Sequence, residues 1–433
     1  MFTPEELVQL IQSLIWLLAG VGIFIVGMNF MSEALEKSAG SGMKNLLGKI
    51  CGNRFSGVGI GAAVTAIIQS SSATSVMVIG LVNAGVMTLM QATPIIMGAN
   101  IGTTITGILV ALKNDIFNMA MYFLAFAGVM MGFVKKEKVQ LAGNLCSGLG
   151  LIFVGLNIMS SPEAFGSVLV KELFTNIFSV INFPLLLILV GAVFTALIQS
   201  SSAATGVVIT MVGTGVMELE LALFIILGAN IGTCVTALLA SVGGAANSKR
   251  VALIHFTFNT IGTVLFAALI WIFREPAVAI LTSIIPGSDP MALQMRVSAF
   301  HVVFNVTTTL FLLPFTRQLV QFSEAVIREK EETGKAHHLR FVDDNLLAMP
   351  AAAMVQAKQE IDYMLSVAEE NTHLALNAIR TGSSADGETI SENEDIIDFT
   401  NSALTRFLIK LSAFYKVSVD YILGITENPK QQK

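Results

Sequence analysis

Charge is what this chain has least of. Only 13% of its 433 residues are Asp, Glu, Lys or Arg, against 54% hydrophobic. The run from Phe55 to Leu112 holds none of the four, and from Leu173 to Ser248 there are only Glu218 and Glu220. That scarcity excludes an ordinary soluble domain for the first three quarters of the chain, which reads as an all-α, polytopic membrane protein in the lipid bilayer. Cysteine is nearly as rare. Cys51, Cys146 and Cys234 are odd in number and scattered, which excludes a disulfide framework and metal-ligand spacing. With no nucleophile beside a base, no metal cluster and no nucleotide loop, the sequence offers no enzyme and no cofactor. The acids crowd into the last hundred residues and the net charge is −5, so nucleic acid is not an expected partner. The opening Met1-Phe2-Thr3-Pro4-Glu5-Glu6 lacks the basic residues of a secretory leader, and the apolar stretch after it is expected to be a retained span.

What is present is a repeat. Gln69-Ser70-Ser71-Ser72-Ala73 returns as Gln199-Ser200-Ser201-Ser202-Ala203, and Gly98-Ala99-Asn100-Ile101-Gly102-Thr103 returns as Gly228-Ala229-Asn230-Ile231-Gly232-Thr233, both 130 positions on. More than half of residues 65–110 match residues 195–240. Upstream, Gly22 to Asn29 is echoed by Gly150 to Asn157. Internal repeats with polar interruptions in apolar segments are a mark of secondary transporters.

Lys and Arg orient the spans. Lys37, Lys44, Lys49 and Arg54 after a span at Leu7 to Met31, and Lys135-Lys136 and Lys138 after one near Phe117 to Val134, mark the cytoplasmic side. The N-terminus then lies outside. Residues 55–86 and 183–217 are apolar pieces of roughly 13 residues flanking each serine cluster, too short to cross a core that needs about 20, and are expected to be re-entrant hairpins. Val139 to Met159 then runs outward where Leu7 to Met31 runs inward, so the repeats are expected to be inverted. The expected organisation is repeat 1 over residues 1–134, repeat 2 over 135–273, a final span and exit over 274–328, and a short cytoplasmic helical tail over 329–433. This gives seven spans and two hairpins, with the segment from Leu89 to Leu112 interrupted at its Asn100 motif.

Broken helices leave N–H groups at one half-helix end and carbonyls at the other, so one end attracts anions and the other coordinates cations. Ser70 to Ser72 and Ser200 to Ser202 offer hydroxyls, Gln69 and Gln199 offer amides, and Thr103, Thr104 and Thr233 lie just past Gly102 and Gly232, read as flexible. Such a set suits a small oxyanion and a hard cation sharing one pocket. Because no fixed cation is at hand, a bound sodium ion is expected to neutralise the anion through these same residues, which couples the two reciprocally. Asn100 and Asn230, each one residue removed from the glycine that follows it, fit ligand binding and helix capping equally. His255 and Asn259 recur as His301 and Asn305, with interhelical hydrogen bonding set against proton relay or substrate contact. Asn29 and Asn157 read as packing polar groups.

The two QSSS turns, each followed by a GANIGT segment, resemble the type II sodium-phosphate cotransporter family, bacterial members included, over about residues 10–320. The resemblance implies sodium-driven symport of inorganic phosphate across the bacterial inner membrane by alternating access. It also implies that Gln69, Ser70, Ser71, Ser72, Thr103, Thr104, Gln199, Ser200, Ser201, Ser202 and Thr233 line the substrate and sodium sites. Cys234 stands where the first copy has Thr104, so one hydroxyl is absent from the second. The rival readings are a phosphate sensor or scaffold, a carrier of another small anion, and an exporter.

In the tail, Leu346 to Ile379 and Ile390 to Phe414 read as two amphipathic helices broken at Thr381 to Gly387, an antiparallel hairpin. Residues 345–411 resemble half of the PhoU-like regulatory domain found after this transporter type, which implies a cytoplasmic regulatory partner. Residues 411–429 resemble the end of a helix-turn-helix domain that lacks its DNA-reading helices. A homo-oligomer also fits the class.

Overall fold

The computed structural model describes residues 3–48, 53–83, 86–112, 115–242, 245–328, 339–342, 350–382, 385–415 and 417–419, with no strand among them. The chain runs through α1 (Pro4–Gly48), α2 (Arg54–Ile68), α3 (Ser71–Asn83), α4 (Leu89–Ala111), α5 (Asp115–Gly132) and α6 (Glu137–Ser160). It continues with α7 (Val168–Val180), α8 (Pro184–Ile198), α9 (Ser201–Gly213), α10 (Leu219–Ser241), α11 (Ala246–Ile272) and α12 (Arg274–Ile284). Last come α13 (Pro290–Leu312), α14 (Thr316–Val326), α15 (Pro350–Thr381) and α16 (Gly387–Tyr415). The bounds of α2, α3 and α4 reappear in α8, α9 and α10 at the same 130-residue displacement.

Among the described residues, six segments are long and apolar enough to cross a membrane: Pro4–Ser38, Leu89–Ala111, Glu137–Ser160, Leu219–Ser241, Ala246–Ile272 and Pro290–Val326. The seventh expected span, α5, falls among the shorter apolar helices because Lys113 and Lys135-Lys136 bracket it closely. Its outward residues Ile116, Met119, Phe123 and Phe126 are exposed at helical spacing, a surface suited to lipid and costly in water. The two segments expected to be hairpins each fold as two short apolar helices, α2 and α3 in the first and α8 and α9 in the second, with residues 84–85 outside those described.

Glycine decides how these helices meet. A Cβ on Gly61 of α2 would lie 2.0 Å from Ile95 O, one on Gly98 of α4 2.0 Å from Val58 O, and one on Gly102 2.5 Å from Ala62 O. The second repeat matches: Gly191 against Ile225 O at 2.1 Å, Gly228 against Ile188 O at 2.0 Å, Gly232 against Ala192 O at 2.4 Å. In both pairs the contacts advance together, so α2 runs parallel to α4 and α8 parallel to α10. Gly102 and Gly232 are therefore close-packing positions inside continuous helices and not flexible joints. Nor does α4 break at Asn100, despite Pro94 within it.

Between α1 and α6 the pairing reverses. Gly27 meets Gly148 and Gly20 meets Gly155, each within 3.1 Å of the partner's backbone oxygen from the position of a Cβ, so these helices run antiparallel. Asn29 and Asn157 are exposed; the packing expected of them is done by the glycines. Aromatic contacts among Phe266, Phe300 and Phe304 add to the core of this unit.

Helices α15 and α16 of the tail pack on each other. Ala353 and Ala357 of α15 pack on Leu404, Phe407, Leu408 and Leu411 of α16, while Asn371 Nδ2 donates to Ile390 O and to Glu394 Oε1. Early residues of one helix thus meet late residues of the other, the antiparallel hairpin expected. Buried Glu360 accepts from the Arg340 and Phe341 N–H groups at 3.2 and 2.8 Å. The expected helix-turn-helix resemblance over residues 411–429 falls largely outside the described residues, beyond the end of α16.

Candidate functional site

The chain turns from α2 into α3 at Gln69 and from α8 into α9 at Gln199. These two are the non-glycine residues of positive φ among those described, at 60° and 58°. A left-handed conformation costs a residue with a Cβ about 1–2 kcal/mol. That it is held at both copies of one motif marks the turns as built rather than incidental. Each Gln caps its helix, its N–H donating to Thr65 O or Thr195 O. The next residue caps the following helix: Ser70 Oγ accepts from Ala73 N and Ser200 Oγ from Ala203 N. Ser70 and Ser200 thus have acceptor capacity committed to structure. Ser71, Ser201 and Ser202 are buried at the start of the second half-helices, where N–H groups and the helix dipole favour an anion.

The structure brings the two turns together through two threonines that the sequence reading passed over. Thr106 Oγ1 of α4 donates to Gln69 Oε1 at 2.7 Å and accepts from Ser202 Oγ of α9 at 3.3 Å. Its equivalent, Thr236 Oγ1 of α10, meets Ser72 Oγ of α3 at 3.1 Å. The third serine of each repeat therefore bonds the threonine of the other. The signal was present: Thr106 and Thr236 are identical across the repeat, three residues past the motif.

Other expected site residues are placed differently. Thr103 and Thr233 donate to the Ala99 and Ala229 carbonyls a turn back, and Thr104 to Ile101 O; their hydroxyls keep acceptor capacity only. Asn100 and Asn230 are not caps, since both lie mid-helix and buried. Asn100 Nδ2 donates to Asn259 Oδ1 of α11 at 2.6 Å, and Asn230 Nδ2 to Ile226 O. The imidazoles of His255 and His301 do not make the interhelical hydrogen bonds weighed for them: both nitrogens of His255 and Nδ1 of His301 are buried without a partner. Instead Asn259 Nδ2 and the His255 carbonyl contact Cys234 Sγ. Ser75 and Thr205, one turn past Ser71 and Ser201, also bury unpartnered hydroxyls. The Thr205 methyl and His301 Nδ1 both lie within 3.8 Å of a Cβ placed on Gly107, the neighbour of Thr106.

A charge-poor helical bundle in which two half-helix turns interlock through buried and half-buried hydroxyls is the build of a secondary transporter. The sequence profile of the Na+/Pi-cotransporter family matches residues 23–161 and 163–288. The chain belongs to that family, one of transporters and not of enzymes. YqeW of Bacillus subtilis (strain 168) is 31% identical over 71% of this chain and 96% of its own. YjbB of Escherichia coli (strain K12), named as a proposed inorganic phosphate exporter, is 24% identical over 92% of this chain and 71% of its own. Sodium-dependent phosphate transport protein 2B of Homo sapiens is 26% identical over 71% of this chain and 65% of its own. No solved structure matches the chain at a significant level.

Proposed function

We propose that this protein moves inorganic phosphate across the inner membrane together with sodium, by alternating access of one site between the two Gln-Ser turns. The observation that carries the reading is the crossed pair of contacts, Thr106 with Ser202, which is buried, and Thr236 with Ser72, which is partly buried; together they join both turns. The Phe55 to Leu112 stretch that supplies one of these turns carries no charged side chain. An oxyanion held by neutral dipoles alone is penalised in low dielectric, and a co-bound sodium ion removes the penalty. Each ion then raises the affinity of the other. Gln69, Ser70, Ser71, Ser72, Gln199, Ser200, Ser201 and Ser202 form the site, with Thr103, Thr104 and Thr233 as accepting hydroxyls and Asn100 and Asn230 behind them. The N-terminus lies outside and the tail in the cytoplasm. The antiparallel α1 and α6, equivalent first spans, support an inverted arrangement of the repeats.

Purified protein in liposomes tests this directly. Phosphate uptake is expected to require an inward sodium gradient and to fall at least about tenfold in Gln69→Ala and in Gln199→Ala, the loss of one well-made polar contact. Uptake indifferent to sodium, or to both substitutions, overturns the site. Export is the second reading, favoured by the name of YjbB; liposomes loaded with phosphate and diluted into sodium decide it by net efflux.

A further inference from the structure

Helices α11 and α13 carry one polar face written twice, 46 positions apart: His255, Asn259 and Thr263, then His301, Asn305 and Thr309. The two faces dock alike. Thr263 Oγ1 donates to Leu227 O of α10 at 3.1 Å, and Thr309 Oγ1 to Met97 O of α4 at 3.3 Å. Met97 and Leu227 are themselves equivalent across the 130-residue repeat. Asn259, seated on α10, receives the amide of Asn100 from α4. By the same equivalence the counterpart of Asn305, seated on α4, is Asn230 of α10.

Only one of these bridges is made. Asn230 Nδ2 donates to Ile226 O of its own helix, and the Oδ1 of Asn305, a residue 1% exposed, has no partner. The turns show the same asymmetry, since Gln69 is held by Thr106 while Gln199 is exposed. At these two positions the first-repeat side chains, Asn100 and Gln69, are bonded to another helix, and their equivalents Asn230 and Gln199 are not. A buried amide oxygen without a donor is unfavourable, whereas exchanging one bridge for an equivalent one leaves two conformations close in energy, as a cycling carrier needs.

The geometry points to Asn259 and Asn305 as positioning residues for transport whose bridges alternate. Asn100 holds Asn259 in this conformation. In the conformation of opposite access, Asn230 holds Asn305 and Asn100 turns back to Ile96 O, the equivalent of Ile226. The inference rests on the alternating-access reading above, and neither Asn259 nor Asn305 needs to touch phosphate.

Cysteine pairs test it in the full chain, with Cys51, Cys146 and Cys234 replaced and uptake of that background measured first. Asn100→Cys with Asn259→Cys, and Asn230→Cys with Asn305→Cys, are each expected to cross-link in liposomes. The yields should move in opposite directions when sodium and phosphate are added together. Separately, Asn305→Leu is expected to lower uptake at least tenfold with the melting temperature of the solubilised protein unchanged. An Asn230–Asn305 pair that never cross-links, yields that move together, or full uptake in Asn305→Leu overturns the exchange. Cross-linking is read on a gel whatever the protein carries, so cysteine pairs whose yields shift as expected, in a cysteine-free background that takes up no phosphate, count against the transport reading alone.

Discussion

At the scale of single residues, Thr106 concentrates the most consequence in one hydroxyl, because it both donates to Gln69 and accepts from Ser202. Thr106→Val keeps the shape and removes both contacts. It leaves the Gln69 oxygen without its donor, a penalty of about 1–3 kcal/mol. The expected result is a loss of sodium-dependent phosphate uptake of roughly tenfold or more with the protein still folded, while Thr106→Ser retains most of it. Equal uptake by the two variants would remove Thr106 from the working parts. Sequence reading stopped at Thr104, two residues short of this position, because a motif draws attention to its own boundaries; hydroxyl identity across the repeat, taken position by position, reaches it. The role of Asn100 was not legible in that way. Its partner Asn259 lies 159 positions along the chain, and no local pattern announces a pair that only tertiary packing creates.

Among elements, the glycines of α2 and α4 set the geometry. Gly61→Ala or Gly98→Ala would press a methyl to 2.0 Å from a carbonyl oxygen, and overpacking of this kind costs about 1–3 kcal/mol or more. Both are expected to lower the yield of monodisperse solubilised protein and its melting temperature. Gly59→Ala, whose Cβ would meet nothing within 4 Å, should leave both unchanged. The same melting temperature in all three would mean that the helices separate freely. The repeat made the element plan legible, down to the equal displacement of six helices. What it did not disclose was continuity: an Asn-Ile-Gly run in an apolar segment reads as a break, yet in α4 and α10 the neighbouring helix occupies the space a side chain would fill. Nor did periodicity reveal α7, whose Val168 to Val180 run sits in a stretch with no repeat partner to flag it.

For the whole molecule, the transport region and the tail make separable predictions. Glu360, fully buried, holds the Arg340 and Phe341 amides, and hydrogen bonds to a charged group contribute about 1.5–3 kcal/mol each. Glu360→Ala is therefore expected to speed limited proteolysis around residues 339–342. Phosphate uptake should persist, as it should after truncation beyond Arg328. Loss of uptake on truncation would favour the sensor reading, in which the tail is the output. The composition of the chain made this division legible, because charge returns to the sequence where the apolar helices end.

The parallel seating of α2 on α4, and of α8 on α10, constrains what can travel. Backbones in such direct touch cannot slip past one another by even a methyl's width, so each Gln-Ser corner is bolted to a full-length neighbour. A corner cannot flap like a lid. If cargo crosses the bilayer, each corner and its long companion shift as a single slab, and the compliance sits at the slab's margins, where side chains rather than main chains face each other.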